Sequence, residues 1–590
     1  MCGIAGTLTA GAAAGDDVHR GMAEVLAHRG PDATRIHPLP GGALVSTRLA
    51  IIDPAGSDQP LTGCTPDVCA VYNGEIYNYR HLRELLRRQG HHLHGQGDGE
   101  VITHLYEQYG RQFVEHLRGA FAIALFDART DELILARDRM GEKPLVYAVQ
   151  NTTVSFASEI RALQPAVGAG AVRPESLPAY LLYGFAPEPA TLLEGVSKLP
   201  AGHFAVVRRD AGVQLTLHRY WTAPVGPPAN GGEDAPDRRG DLITVASAAL
   251  AEAVEQQTYA DVPVAMALSG GVDSTLLARI AARTLTDLRT YTVGFDWTPT
   301  DELDAAAATA QALHSKHTEI RLSVDDYLHL LRRGSRSASE PIADWTLPAY
   351  LALTTHCHDD GVRVLLTGHG PDELFLAYRW VRQAIAYIRQ PGSPPETIDA
   401  YTFNPEYAEA MDLIDSVLTG TARAIPATTS ATLPDEAFRQ HLRSALLRGY
   451  LVSNGLMQLD TLGLMNAVEV RVPYVDHKFV EAVSVLETPG SDREAMPKAK
   501  LYAIAETLDL PIHYVAKRPF FPTLAAVTPS ILSMAQDHLL SGELAAAGLI
   551  RPNAVRQLLL STPTIGNGLN VLFRLLMLEM WLTHLRKPAL

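Results

Sequence analysis

The chain has 590 residues, 47% hydrophobic and 19% charged, with a formal net charge of −15. That length exceeds what one hydrophobic core organises, so two or more domains are expected. The acidic balance, with no basic run and no interleaved aromatic patch, argues against a nucleic-acid or anionic-membrane partner. No signal peptide is expected, and no apolar stretch is long enough to span a bilayer. Four cysteines, Cys2, Cys64, Cys69 and Cys357, are too few for a disulfide framework, so a reduced, cytoplasmic setting fits. Cys64 and Cys69 lack a second Cys or His pair at zinc spacing and read as loop or strand residues.

The chain opens Met1-Cys2-Gly3-Ile4-Ala5-Gly6. Removal of the initiator methionine would put a thiol and an α-amine on one residue, a nucleophile beside a base. By itself Cys2 fits an ordinary terminal cysteine better. Short β-type runs follow at 43–46, 68–72, 121–126 and 133–136, with helical patterns at 81–88 and 100–109. Gly97-Asp98-Gly99 reads as the N-cap of the second helix. Several strands with few helices predict stacked antiparallel sheets with helices outside, an α+β layer arrangement. The polar, Pro/Gly-rich stretch 222–241 reads as a linker. The expected division is 1–208, a connecting strand and linker at 209–240, and 241–590.

Beyond the linker the pattern changes. Strands at 262–268, 289–295 and 362–366 alternate with helices at 275–283 and 301–313, which predicts a doubly wound parallel α/β sheet. Residues 390–433 read as an insertion or mobile loop pair, and the chain from 436 onward as mainly helical. Ser269-Gly270-Gly271-Val272-Asp273-Ser274 falls where a strand ends and a helix begins. Small residues there expose backbone N–H groups beside a helix N-terminus, which makes an anion cradle. Ser269 and Ser274 can bond phosphate oxygens, and Asp273 can hold magnesium. The string is not a Walker P-loop, since no Gly-Lys-Ser/Thr follows. It resembles the signature of the ATP pyrophosphatases, which cleave ATP between the α- and β-phosphates. A second site would sit at a neighbouring strand end, and Thr367-Gly368-His369-Gly370-Pro371-Asp372-Glu373 supplies it, with Asp372 a joint magnesium ligand with Asp273.

An N-terminal Cys-Gly-Ile-Ala-Gly followed by that signature resembles the glutamine-hydrolysing asparagine synthetases over nearly the whole chain. Further matching strings are His28-Arg29-Gly30-Pro31-Asp32, Arg48-Leu49-Ala50-Ile51-Ile52-Asp53, Tyr72-Asn73-Gly74-Glu75-Ile76-Tyr77-Asn78, the stretch from Arg137 to Leu145, and Glu469-Val470-Arg471-Val472-Pro473-Tyr474-Val475-Asp476. The resemblance implies an N-terminal-nucleophile glutaminase ahead of an ATP-pyrophosphatase domain. In it Cys2 attacks glutamine, and Asn73 with the Gly74 N–H forms the oxyanion hole. Arg48 grips the glutamine α-carboxylate, Glu75 and Asp98 hold its α-ammonium, and Leu49, Ile51 and Ile52 line the pocket. Taken singly, Arg48 also fits a surface ion pair, Asn73-Gly74 a hairpin turn and Asp98 a cap. In the second domain Leu268, Val293, Thr367 and Gly368 match ATP-contacting positions. Lys498 matches a lysine that stabilises charge on the intermediate, and Lys517 a second basic phosphate-facing position; both also fit a solvated surface. ATP and Mg2+ are the implied co-substrate and ion, with glutamine and a small carboxylic acid as substrates. A homo-oligomer, a dimer, is expected.

The synthetase half departs from the family. His369 stands where an acidic residue is common, Pro371 precedes Asp372, and Leu376-Ala377 replace a Gly pair before Tyr378. Thr461 and Gly463 replace basic and Ser positions, and Leu501-Tyr502 stands where Leu-Arg is common. An imidazole cannot do the electrostatic work of a carboxylate. The expected reaction is of the asparagine synthetase type, from aspartate. The alternative is amidation of a different acid in specialised metabolism, and the departures on the acid side point to it. Other readings are a nucleic-acid-modifying adenylase, a ring-closing acyl-adenylate enzyme and a regulator with a decayed site.

Overall fold

The computed structural model describes residues 2–11, 14–210, 212–224, 238–299, 301–388, 407–420, 435–484, 486, 498–510, 512, 522–562 and 566–586. Lys517, most of the expected linker and most of the expected insertion lie outside these residues. No helix among the described residues is long and apolar enough to cross a membrane.

Strands of the first part are β1 (Cys2–Thr9), β2 (Ala33–Leu39), β3 (Gly42–Arg48), β4 (Leu61–Thr62), β5 (Val68–Ile76), β6 (Gly119–Asp127), β7 (Glu132–Arg137), β8 (Val146–Gln150), β9 (Thr153–Ala157), β10 (Val196–Lys198), β11 (His203–Arg209) and β12 (Val213–Arg219). They form two six-stranded sheets, in the orders β10-β8-β9-β1-β3-β2 and β12-β11-β7-β6-β5-β4. Every pairing is antiparallel. Apolar side chains of both sheets, among them Ile4, Leu8 and Leu44 with Val71, Ala124 and Leu135, make one cluster between the layers. The strand 213–219 pairs with β11 along its length, so it completes the second sheet.

The later part holds β13 (Val264–Ala267), β14 (Arg289–Phe295), β15 (Lys316–Leu322), β16 (Val364–Leu366) and β17 (Glu469–Arg471). They form one parallel sheet in the order β15-β14-β13-β16-β17. The sequence did not predict β17: it is short, and charged residues end it. Burial is possible because the Arg471 Nε donates to Glu469 Oε1 at 2.5 Å, within the strand. Helices such as Val272–Ala281 and Leu347–Asp359 pack around the sheet, and Asn567–Leu585 is buried along most of its length. Of the expected insertion, 407–417 forms a helix, Tyr407–Val417.

The two parts share a continuous apolar contact: Leu49, Ile76 and Tyr79 pack in one cluster with Leu268, Val470 and Phe479. Buried charge pairs cross the same boundary. Arg29 donates to Asp460 at 2.7 Å while also holding Glu159 of its own domain at 3.0 Å, Arg118 donates to Asp476 at 2.8 and 3.0 Å, and Arg471 to Glu75 at 3.1 Å. Such pairs resist separation, because parting them strands a buried charge. A cleft of about 990 Å³ opens at this boundary, lined by Glu75, Tyr77 and Arg118 on one side and Glu252, Tyr259 and His477 on the other.

Candidate active sites

Register assembles the first site. In the β1–β3 pairing Cys2 lies opposite Arg48. β5 belongs to the facing sheet and brings Asn73 to Cys2, whose backbone nitrogen donates to Asn73 Oδ1 at 3.1 Å. The amide nitrogen of Asn73 is buried and has no hydrogen-bond partner among the described residues. Leaving such a donor unsatisfied costs about 1–3 kcal/mol, so it marks a place for an incoming oxygen. Asn73 and Gly74 lie within β5, not in a hairpin turn. Burial pushes the Cys2 thiol pKa up, opposed by the Leu49 N–H and the Arg48 charge.

Gln59, which the sequence did not single out, donates to Cys2 Sγ at 3.1 Å and to the Tyr72 carbonyl at 2.9 Å. Its only sequence signal is its place just before β4. Arg48 donates to the Pro54 and Asp53 carbonyls at 2.9 and 2.8 Å and lies 3.4 Å from Asp58. Asp98 does not cap the helix Val101–Tyr109, whose N-cap is Glu100. It accepts instead from the Tyr72 hydroxyl at 2.7 Å and the Ile76 N–H at 2.8 Å. Glu75 is buried and receives Arg471 across the domain boundary. Leu49, Ile51 and Ile52 are buried beside this site.

Gly74 is required by space. Its φ is +149°, and a Cβ there would lie 2.0 Å from the Ala120 carbonyl oxygen. Gly74→Ala forces β5 away from β6. The expected result is a loss of about 1–3 kcal/mol in denaturant unfolding.

The second site lies at the switch point of the parallel sheet. Connections from β13 run outward through β14 and β15, while β16 and β17 lie on its other side. Doubly wound sheets bind ligands outside the carboxyl ends of strands where the order reverses. Ser269 to Ser274 follow β13, and Thr367 to Glu373 follow β16. Gly270 has a φ of +72°, and a Cβ would lie 2.8 Å from the Ala306 nitrogen of the helix above it. No side chain caps the helix Val272–Ala281, so its first-turn N–H groups face the turn. The Ser269 and Ser274 hydroxyls are 3.1 Å apart. Leu268 donates its N–H to Tyr291 at 2.8 Å beside Val293, and Gly368 packs against the Asp273–Ser274 backbone.

Lys498 joins the two strings. Its ammonium pairs with Asp273 and lies 3.0 Å from Asp372. Burial by itself would lower the Lys498 pKa, but the two carboxylates outweigh it and hold the group cationic. Lys498 is therefore a buried charge, not a solvated surface lysine. Two hard carboxylates, a cation and a helix N-terminus are the donors a magnesium-bound polyphosphate needs.

The sequence matches two family descriptions, glutamine amidotransferase domain over residues 1–221 and asparagine synthase over residues 246–583. The chain belongs to the asparagine synthase family. The "Putative asparagine synthetase (glutamine-hydrolyzing)" of Mycobacterium tuberculosis is 36% identical over 65% of this chain. The match spans 62% of that relative's length. "Asparagine synthetase (glutamine-hydrolyzing) 1" of Bacillus subtilis is 28% identical, over 88% of this chain and 86% of its own. "Asparagine synthetase (glutamine-hydrolyzing) 2" of Arabidopsis thaliana is 30% identical, over 61% of this chain and 57% of its own.

Within this family frame the unusual residues have physical settings. His369 is partly buried: its Nε2 is 2.8 Å from the Tyr350 hydroxyl and its Nδ1 3.1 Å from Thr367 Oγ1. Burial lowers its pKa to about 4 against the upward pull of Asp372 and Asp344, so at neutral pH it is an uncharged imidazole. Glu373 is pushed up to about 7 by burial and by Asp372. Leu376 holds a φ of +50°, the backbone a glycine takes without cost, and its side chain packs with Val381, Ile385, Leu442 and Leu446. Gly463 has no room for a side chain, since a Cβ would meet the Val468 carbonyl at 2.6 Å.

The His369 setting makes stability pH-dependent. Above pH 6.5 both folded and unfolded forms are neutral at this ring. Between pH 6.5 and about 4 the unfolded chain takes up a proton that the folded one refuses, so the fold loses stability as pH falls. The full loss is about 3 kcal/mol. In thermal melts from pH 7 to 4, His369→Gln is expected to remove that part of the acid-side decline.

Proposed function

We propose that the chain makes amides from carboxylic acids, using glutamine as nitrogen donor and magnesium-bound ATP as co-substrate. The observation that carries this reading is the Cys2–Asn73 pair, in which one amide group both holds the Cys2 nitrogen and presents a buried, unpartnered donor. Once Met1 is removed, that nitrogen becomes an α-amine, held by Asn73 and placed to take the thiol proton. The thiolate attacks the glutamine side-chain carbonyl. Asn73 Nδ2 and the Gly74 N–H stabilise the developing oxyanion. The α-ammonium returns its proton to the leaving nitrogen, the C–N bond breaks, ammonia departs, and water cleaves the thioester to glutamate. Arg48, Glu75 and Asp98 hold the amino-acid end of glutamine, with Leu49, Ile51 and Ile52 along the pocket.

At the second site the cradle of Ser269, Gly270, Gly271 and Ser274 receives phosphate. Leu268, Val293, Thr367 and Gly368 surround the nucleotide, and Asp273 and Asp372 hold its magnesium ion. A carboxylate oxygen attacks the α-phosphorus and releases pyrophosphate. Ammonia then attacks the acyl carbon and AMP leaves, with Lys498 placed to stabilise the negative charge. Ammonium is not a nucleophile, so ammonia has to travel shielded from water between the domains. Arg471 spans the route: its side chain bonds Glu75, and its carbonyl accepts the Thr367 N–H at 3.0 Å.

With aspartate as acceptor the product is asparagine. A second reading, amidation of a different small acid, is favoured by the neutral, partly buried His369, which offers no negative charge to the acceptor's side of the site. Pyrophosphate exchange with aspartate and a panel of small carboxylic acids separates them. Fastest exchange and amide formation with aspartate establishes the first reading, and at least about tenfold faster turnover of another acid, a difference of about 1.4 kcal/mol, establishes the second. Absence of exchange with every acid tested would sink both.

A further inference from the structure

A cluster of metal-ligating side chains lies in the first domain, apart from both sites above. Cys64 occupies the turn between β4 and β5, and His91 follows the helix Tyr79–Arg88. His104 and Glu107 stand three residues apart on the helix Val101–Tyr109, and so share one face. Their donor atoms converge. Cys64 Sγ is 3.4 Å from the Nδ1 of both His91 and His104, and those two nitrogens are 3.3 Å apart. Glu107 Oε2 lies 3.8 Å from the first and 3.7 Å from the second. All four donors fall within 4.8 Å of one another. Ligands around tetrahedral zinc, at bonds of about 2.0–2.3 Å, are themselves about 3.3–3.7 Å apart. Five of the six donor separations, at 3.3–3.8 Å, already approach that spacing.

Hydrogen bonding alone accounts for it poorly. His91 Nε2 is 3.1 Å from Gln108 Oε1, an acceptor, so His91 carries its proton there and turns the Nδ1 lone pair toward the cluster. A proton on His104 Nδ1 would serve one neighbour and leave the others facing each other. His104 is buried, and its Nε2 has no hydrogen-bond partner among the described residues. The Glu107 carboxylate is fixed by backbone, accepting from Cys64 N–H at 2.9 Å and Thr65 N–H at 3.3 Å. Such support orients a ligating carboxylate.

We propose that Cys64, His91, His104 and Glu107 bind a zinc ion in a four-ligand structural site. One thiolate, two imidazoles and one carboxylate in tetrahedral array suit zinc over the hard cations magnesium and calcium. The sequence concealed the site, because its ligands come from three separate segments with no zinc spacing. The ion would tie the β4–β5 turn and the helix Val101–Tyr109 to the connection between the two helices. That connection carries Asp98, so zinc would stiffen one wall of the Cys2 site.

The test uses the full chain, purified without a polyhistidine tag from zinc-supplemented medium. Metal analysis after dialysis is expected to find about one zinc per chain, falling below about one tenth of that in Cys64→Ser and His91→Gln. His92→Gln, an exposed neighbour, should retain it. Cobalt-reconstituted protein should show a thiolate-to-cobalt charge-transfer band that Cys64→Ser lacks, whether or not the protein hydrolyses glutamine. Zinc content and cobalt spectrum unchanged in Cys64→Ser would place the ion elsewhere and overturn the assignment. So would a folded parent chain that keeps no zinc and gives no such band.

Discussion

Cys2→Ala is expected to lower glutamine-dependent amide synthesis by at least about 10³-fold, since the thioester forms on the Cys2 sulfur. Synthesis from added ammonium salts should stay within about twofold of the parent, and it should rise with pH as more ammonia is unprotonated. The geometry supports this separation. Cys2 sits in β1, while the domain boundary is held by Arg29, Arg118 and Arg471 and by a shared apolar cluster. Removing one sulfur atom disturbs none of these. Measuring glutamate release, ammonia-dependent amide formation and thermal stability on one preparation checks the claim. If both nitrogen sources failed in a folded variant, the two-site scheme would be wrong.

Lys498→Ala is expected to give the converse result. The lysine supplies the buried positive charge between Asp273 and Asp372. Its φ of +61° is a strained backbone conformation, of the kind a fold retains where geometry must be fixed. Losing one preorganised charge of this kind costs about 2.7–4 kcal/mol of transition-state stabilisation, or about 10²–10³-fold in rate. Pyrophosphate exchange should fall by that factor, with kcat affected more than the KM for the acid. Glutamate release in the absence of ATP should be unchanged, because Cys2 and Asn73 are untouched. Lys498→Arg should recover part of the rate. Exchange that stays at the parental level in Lys498→Ala would remove the lysine from the chemistry.

The strings around Cys2, Arg48, Asn73, Asp98, Asp273 and Asp372 were readable because each joins an unusual residue type to a turn or strand end. The change from β-rich to alternating patterning separated the two halves for the same reason: side-chain period is local. Roles that depend on a distant partner were less legible. Asp98 reads as a helix cap from its neighbours, and only the packing of β5 turns it to Tyr72 and Ile76. Asn73-Gly74 reads as a turn, and only pairing with β6 keeps it extended. Gln59 reaches Cys2 through a loop path that no periodicity records.

The sequence alone determined the two fold types, and it placed the Cys2 thiol, the glycine-rich turn at 269–274 and the carboxylates Asp273 and Asp372 at strand or helix ends, since these follow from local residue chemistry. Tertiary structure decided the rest. It set Arg471 between Glu75 and Thr367, the residue after β16, kept His369 neutral by desolvating it, and drew Cys64, His91, His104 and Glu107 together. The physical reason is the same in each case. Charge state and coordination depend on burial and on distances of a few ångströms between segments far apart in the chain, and sheet order and helix packing fix those distances.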